Sequence, residues 1–119
     1  MARIEVGNGQ LTVHLQGWDR WLALRRRLRV PLARVAEVKV RPPEARRNAP
    51  GIKIAGAFLP RRIAAGLFKV PGGWAFYAVH DPDRTIGVEL RGRGLRRLVV
   101  QVDGETPEEA ARRIRDALP

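Results

Sequence analysis

The chain of 119 residues has no cysteine, no serine, two histidines, one tyrosine and three phenylalanines. Without cysteine there is no disulfide, thiolate nucleophile or thiolate metal site, a composition suited to a reducing cytoplasm. Without serine there is no serine nucleophile, and the three threonines fall in a strand, at a turn edge and at a helix cap. A hydrolytic metal centre needs several convergent imidazoles or carboxylates, and His14 and His80 are the whole histidine supply. No apolar run approaches the roughly 20 residues that span a bilayer, and "MARIEVGNGQ" has no apolar leader core. The expectation is a soluble, cytoplasmic, single domain over residues 1–119, with no cofactor and no metal.

Acid is scarce too. There are 12 Asp and Glu against 23 Lys and Arg, a formal net charge of +11, and 20 of the 23 are arginine. Between Arg20 and Arg62 stand 13 basic and two acidic residues, so that segment alone holds the whole excess. Concentration of one sign predicts an electropositive face built from Arg20, Arg25, Arg26, Arg27, Arg29, Arg46, Arg47, Arg61 and Arg62. The competing reading is a solvated arginine surface that serves solubility.

Period-two alternation dominates the pattern. "ARIEV" and "QLTVHL" flank Gly7-Asn8-Gly9, whose residues tolerate positive φ, and read as a hairpin with His14 on its polar side. In "GWDRWLALRRRLRVPL", Trp18, Trp21 and Leu22 share one side of a short helix starting near Asp19. Those tryptophans either plug the mouth of a barrel or, beside Arg25–Arg27, contact a membrane or partner. An edge strand tolerating Pro31 follows, then the strand "VAEVKV" and the loop "RPPEARRNAPG". Residues 52–102 read as short strands broken by Gly and Pro, the mark of a sandwich or small barrel, with Gly56, Gly66 and Gly87 suited to bulges or bends. Thr106, Pro107 and Glu109 spell a capping box, and Ala110, Ile114, Ala117 and Leu118 line one face of the closing helix, with Arg112, Arg113 and Arg115 mostly pointing away.

Candidate chemistry is sparse. His80 stands beside Asp81-Pro82-Asp83, which is type I turn composition: a carboxylate that accepts a local N–H, then a proline that presets φ. Glu5, Glu89 and Asp103 are the carboxylates whose convergence spacing leaves open. Gly92-x-Gly94 lies between strands, without the following helix that a phosphate loop uses, and "RGRGLRR" reads as a charged hairpin turn. The pattern favours a non-catalytic chain.

The series "VPLARVAEVKV", Gly51, Gly56, Pro60, Ile63, Gly66, Phe68, "GGWAFYAVHDP" and "LRRLVVQVDGETPEEAARRIRDAL" resembles small, largely uncharacterised bacterial pleckstrin-homology (PH)-like proteins. The resemblance implies a mainly β (α+β) fold, a PH-like barrel of about seven antiparallel strands in two sheets capped by one C-terminal helix. It also implies a binding scaffold. The partner expected from the charge is an acidic protein or peptide, with anionic lipid and nucleic acid as alternatives.

Overall fold

The computed structural model describes residues 2–15, 27–43, 52–59, 63–79 and 81–119. Among them are nine strands and one α-helix: β1 (Ala2–Gly7), β2 (Gln10–Leu15), β3 (Arg27–Pro31), β4 (Val35–Val40), β5 (Ile52–Leu59), β6 (Ile63–Val70), β7 (Gly73–Val79), β8 (Thr85–Leu90), β9 (Leu95–Gln101) and α1 (Pro107–Asp116). They form a three-stranded sheet, β1-β2-β3, and a six-stranded sheet in the order β4-β8-β9-β7-β6-β5. The mainly β architecture in two sheets with a C-terminal helix matches the expectation. The ladders do not close into a barrel, and the expected all-antiparallel set of about seven strands gives way to nine with a parallel β7–β9 pair.

The parallel pair has a local cause. β8 follows β7 in the chain but pairs on the far side of β9, so the 80–84 connection must step over the end of β9. Five residues reach easily across one intervening strand, since an extended residue spans about 3.3 Å and neighbouring strands lie about 4.8 Å apart. Nothing local in the sequence marks which strand will be inserted. The crossing is fastened by Gln101, buried at the end of β9, whose side-chain carbonyl accepts the Asp81 N–H at 2.6 Å. Asp81 accepts from the Asp83 N–H at 3.0 Å and the Thr85 hydroxyl donates to the Pro82 carbonyl at 2.8 Å, so Pro82–Arg84 forms one 3₁₀ turn. Asp81-Pro82-Asp83 therefore does the work of a turn; His80 lies outside the described residues.

The two sheets meet where the chain runs on from β9. Ala2 bridges Val102 in parallel, and the Asp103 N–H donates to the Ala2 carbonyl at 2.8 Å. Ile4, Leu11, Val13, Leu28 and Val30 from the small sheet pack in one core with Val38, Phe76, Ile86, Val88, Leu98 and Val100 from the large one. Helix α1 packs against β4, β8 and β1 and adds Ala110, Ala111 and Ile114 to that core. Its buried stripe is Pro107, Ala110, Ala111 and Ile114, continued by half-buried Leu118; Ala117, expected on the stripe, is the exposed C-cap residue. Burying Ile114 fully is worth about 2 kcal/mol.

The large sheet has a second apolar side. Ala75, Tyr77, Val79 and Val99 are buried there apart from the main core, so both sides of β7 are covered. Gly56, Gly66 and Gly87 are suited to bulges or bends, but no register shift falls at any of the three. Gly56 pairs with Gly66 in register, and the register shifts fall between Val35 and Glu37, between Lys53 and Ala55, and opposite Trp74/Ala75. Gly87 is needed for a close approach, because a Cβ there would stand 2.9 Å from Pro42 Cγ.

Both halves of the capping box form: the Glu109 N–H donates to the Thr106 hydroxyl at 3.1 Å, and the Thr106 N–H to the Glu109 carboxylate at 3.0 Å. The backbone N–H of Thr106 holds the Glu109 carboxyl below its ordinary pKa, and hydrogen bonding from Arg41 does the same for Glu108. A depressed folded-state pKa stabilises the protein above the unfolded value, about 4.3 for glutamate, and that contribution is lost as pH falls through the folded value. Glu109→Gln keeps a capping acceptor without titrating. The expected result is a thermal midpoint below the parent's at pH 6 and converging on it at pH 3; an offset constant with pH sinks the assignment.

Candidate functional site

Of the basic residues expected to form one face, Arg27 and Arg29 are described; Arg20, Arg25, Arg26, Arg46, Arg47, Arg61 and Arg62, with Trp18 and Trp21, lie outside the described residues. Arg27 and Arg29 alternate on β3 with buried Leu28 and Val30, which turns both outward. The register sets Arg27 opposite His14 and His14 opposite Arg3, while Arg29 faces Thr12 and Thr12 faces Glu5. Arg3 and Arg27 are thus two strand spacings apart, roughly 10 Å. His14 Nε2 donates to Glu5 Oε2 at 3.2 Å, so the one acidic residue in these two rows is drawn to the histidine. Arg3, absent from the basic segment in sequence, joins the face through strand pairing alone.

Other arginines turn back onto the fold. Arg34 Nε donates to the Arg91 carbonyl at 2.9 Å, and its Nη2 to the carbonyls of Arg93 and Leu95, each at 2.9 Å. Arg91 reciprocates: its Nη1 donates to the Ala33 carbonyl at 3.2 Å and the Val35 carbonyl at 3.0 Å. The two side chains clamp the start of β4 to the 91–94 turn, where Gly92 and Gly94 take φ of 89° and 84°. Arg113 and Arg115, expected to point away, instead reach the carbonyls of Ile4 (from Arg113) and Val38 (from Arg115), and Arg113 also pairs with Glu105.

Arg41 joins three elements. Its N–H donates to the Thr85 carbonyl, its Nε to the Asp83 carbonyl at 2.9 Å, and its guanidinium forks onto Glu108 of α1. The Glu108 hydrogen bond raises the Arg41 pKa above its ordinary value. The residue has φ 49°, a left-handed conformation that costs a non-glycine about 1–2 kcal/mol, and these contacts hold it there. Among the described residues of the basic segment, then, Arg34 and Arg41 are bound internally, and Arg27 and Arg29 face outward.

A second basic feature lies at the β6–β7 turn. The ladder sets Trp74 opposite Leu95 but Ala75 opposite Arg97, so one extra residue, Arg96, bulges from β9. Arg96 and Arg97 then line a cleft of about 250 Å³ with Val70, Pro71 and Glu89. Arg97 Nε donates to Glu89 Oε1 at 3.0 Å, and Lys39 Nζ stands 4.0 Å from the same oxygen. Burial works against the Arg97 charge; the buried Tyr77 hydroxyl and the Glu89 carboxylate outweigh it and leave its pKa above the ordinary value. Arg96 Nη1 donates to the Gly92 carbonyl at 2.8 Å. Its side chain lies along Gly72 and Gly73, and a Cβ on Gly73 would stand 2.9 Å from Arg96 Cγ and 2.1 Å from the Gly94 carbonyl oxygen. The "RGRGLRR" segment read as a turn with flanking charge does make the turn, and its last two arginines also build this cleft. An unpaired extra residue in a strand is the signal, and it is visible only once the pairing is known.

The carboxylates left open by spacing have separate settings. Glu5 is on the outer side of the small sheet with His14, Glu89 is beside Arg97 in the large sheet, and Asp103 follows β9. Compared with family models, curated proteins and solved structures, the chain matches none.

Replacing Arg34 by lysine keeps the charge and removes the planar fork that reaches three carbonyls. Arg34→Lys is expected to lower unfolding free energy by about 1–2 kcal/mol in urea denaturation, while Arg112→Lys on the exposed side of α1 stays within about 0.5 kcal/mol of the parent. Equal stability of the two variants would remove the clamp from the account.

Proposed function

We propose that the protein is a non-catalytic, PH-like interaction module that binds an acidic protein or peptide through a basic surface centred on the outer side of the small sheet. The observation that carries this reading is the outward row formed by Arg3, His14 and Arg27 with Arg29 beside it, across three paired strands. A β-sheet holds its side chains at fixed spacing, so three guanidinium groups stand ready without the ordering cost of a flexible loop. Screening reaches about 8 Å at physiological ionic strength, so Arg3 and Arg27, roughly 10 Å apart, each act on the part of an acidic segment that lies nearest. Arginine suits the role because its fork meets carboxylates in bidentate geometry. The PH-like resemblance adds a scaffold that works by binding.

The test compares the parent with Arg27→Gln/Arg29→Gln on immobilised acidic peptide, anionic vesicles and duplex nucleic acid over a salt series. The double variant is expected to lose about tenfold in affinity for the acidic peptide and to bind with a shallower salt dependence, each exposed pair being worth up to about 1 kcal/mol. Preference for vesicles or duplex over peptide would reassign the partner. Binding unchanged by the double substitution would remove the face itself.

A further inference from the structure

We propose that the cleft at the β6–β7 turn is a site for a carboxylate carried on a short apolar stem, separate from the outer side of the small sheet. Two consecutive arginines line one concavity because the bulge at Arg96 breaks the alternation that would otherwise send them to opposite sides of β9. Both are set in place before any ligand arrives. Arg97 is steadied by Glu89, and Arg96 is anchored to the Gly92 carbonyl and laid along a turn whose two glycines leave it room. A guanidinium has five N–H donors, and one Arg96 donor is taken by Gly92. Preset donors recognise an anion at lower ordering cost than free side chains do.

The charge of the site selects an anion, and its lining selects the kind. Lys39, Arg96 and Arg97 against Glu89 leave an excess of two positive charges around the cleft. That excess draws an anion, a planar carboxylate meets a guanidinium fork with both of its oxygens, and only an anion carried on a stem also covers an apolar wall. Val70 and Pro71 form an apolar wall, which the stem of the ligand covers. The volume of about 250 Å³ matches a carboxylate with a few carbons, at about 30 Å³ for each water displaced. A free short-chain acid and the C-terminus of a chain ending in an apolar residue present the same chemistry.

The experiment is a titration of the full chain, labelled with ¹⁵N, followed at the arginine Nε–H and backbone amide resonances at constant ionic strength. The probes are acetate, butyrate, N-acetylvaline, N-acetylvaline amide and inorganic phosphate. Expected are saturable shifts at the Arg96 and Arg97 Nε–H and the Gly72 and Gly73 amides, tighter binding of butyrate than of acetate, and no response to the amide. N-acetylvaline binding tighter than butyrate would mark a chain terminus as the natural source, and the reverse a free acid. Arg96→Gln is expected to weaken binding about tenfold. Arg27→Gln/Arg29→Gln is expected to leave it unchanged, so failure here and failure of the outer-side reading are distinguishable. Shifts that match those from chloride, a response to the amide equal to that of the acid, tighter binding of phosphate, or full affinity in a folded Arg96→Gln variant would each overturn the proposal.

Discussion

Backbone carbonyls at strand ends and turns are closed in this protein by arginine side chains, and much of the architecture hangs on that. Every buried or half-buried carbonyl needs a donor, and the usual short donors are scarce in a chain with no serine and three threonines. Arg34 and Arg91 exchange hydrogen bonds across the start of β4 and the 91–94 turn; Arg115 reaches Val38 on β4, and Arg113 reaches Ile4 on β1. β4 is an edge of the large sheet, so a guanidinium bonded to one of its carbonyls also blunts an edge that would otherwise offer itself to another strand. Lysine would not replace these groups, because a single ammonium does not fork across two or three carbonyls.

The inserted position of β9 is the second constraint, and it decides where side chains gather. Because β8 crosses to the far side of β9, β9 is central, paired along both edges, and its two sides are packed by different apolar sets. Its beginning is the place where the pairing loosens into a bulge, which brings Arg96 and Arg97 together beside the β6–β7 turn. Its end is tied by Gln101 to the crossing and by Val102 to β1, which locks the small sheet onto the large one. One strand therefore carries the cleft at one end and the junction of the sheets at the other.

The elements that alternation and capping chemistry determine locally were readable in the chain. The hairpin around Asn8 and Gly9, with φ of 54° and 73°, follows from residues that accept positive φ, and the Thr106–Glu109 box follows from two side chains three residues apart. The Asp81-Pro82-Asp83 turn is legible for the same reason. What pairing determines was not readable. The β7–β9 parallel ladder, the bulge at Arg96 and the arrival of Arg3 opposite His14 all depend on contacts between strands remote in sequence. Arginine direction was the hardest to read, since the solvent-facing positions of α1 are those from which Arg113 and Arg115 reach over to neighbouring strands; a long side chain is not confined to the side its Cα occupies.

This division of labour among arginines changes what the net charge of +11 means. A guanidinium that donates to a carbonyl is fixed in direction but keeps its full charge, whereas one paired with a carboxylate is largely neutralised at a distance. Arg34, Arg91, Arg96 and Arg115 are of the first kind, and Arg41, Arg97 and Arg113 of the second. The first group adds to the long-range positive field, with at least one donor of each spent on the protein's own carbonyls. Arg3, Arg27 and Arg29 present theirs outward from the small sheet. On the proposed reading, steering and docking of an acidic partner at the small sheet fall to different arginines, because charges away from a contact act mainly on association rate.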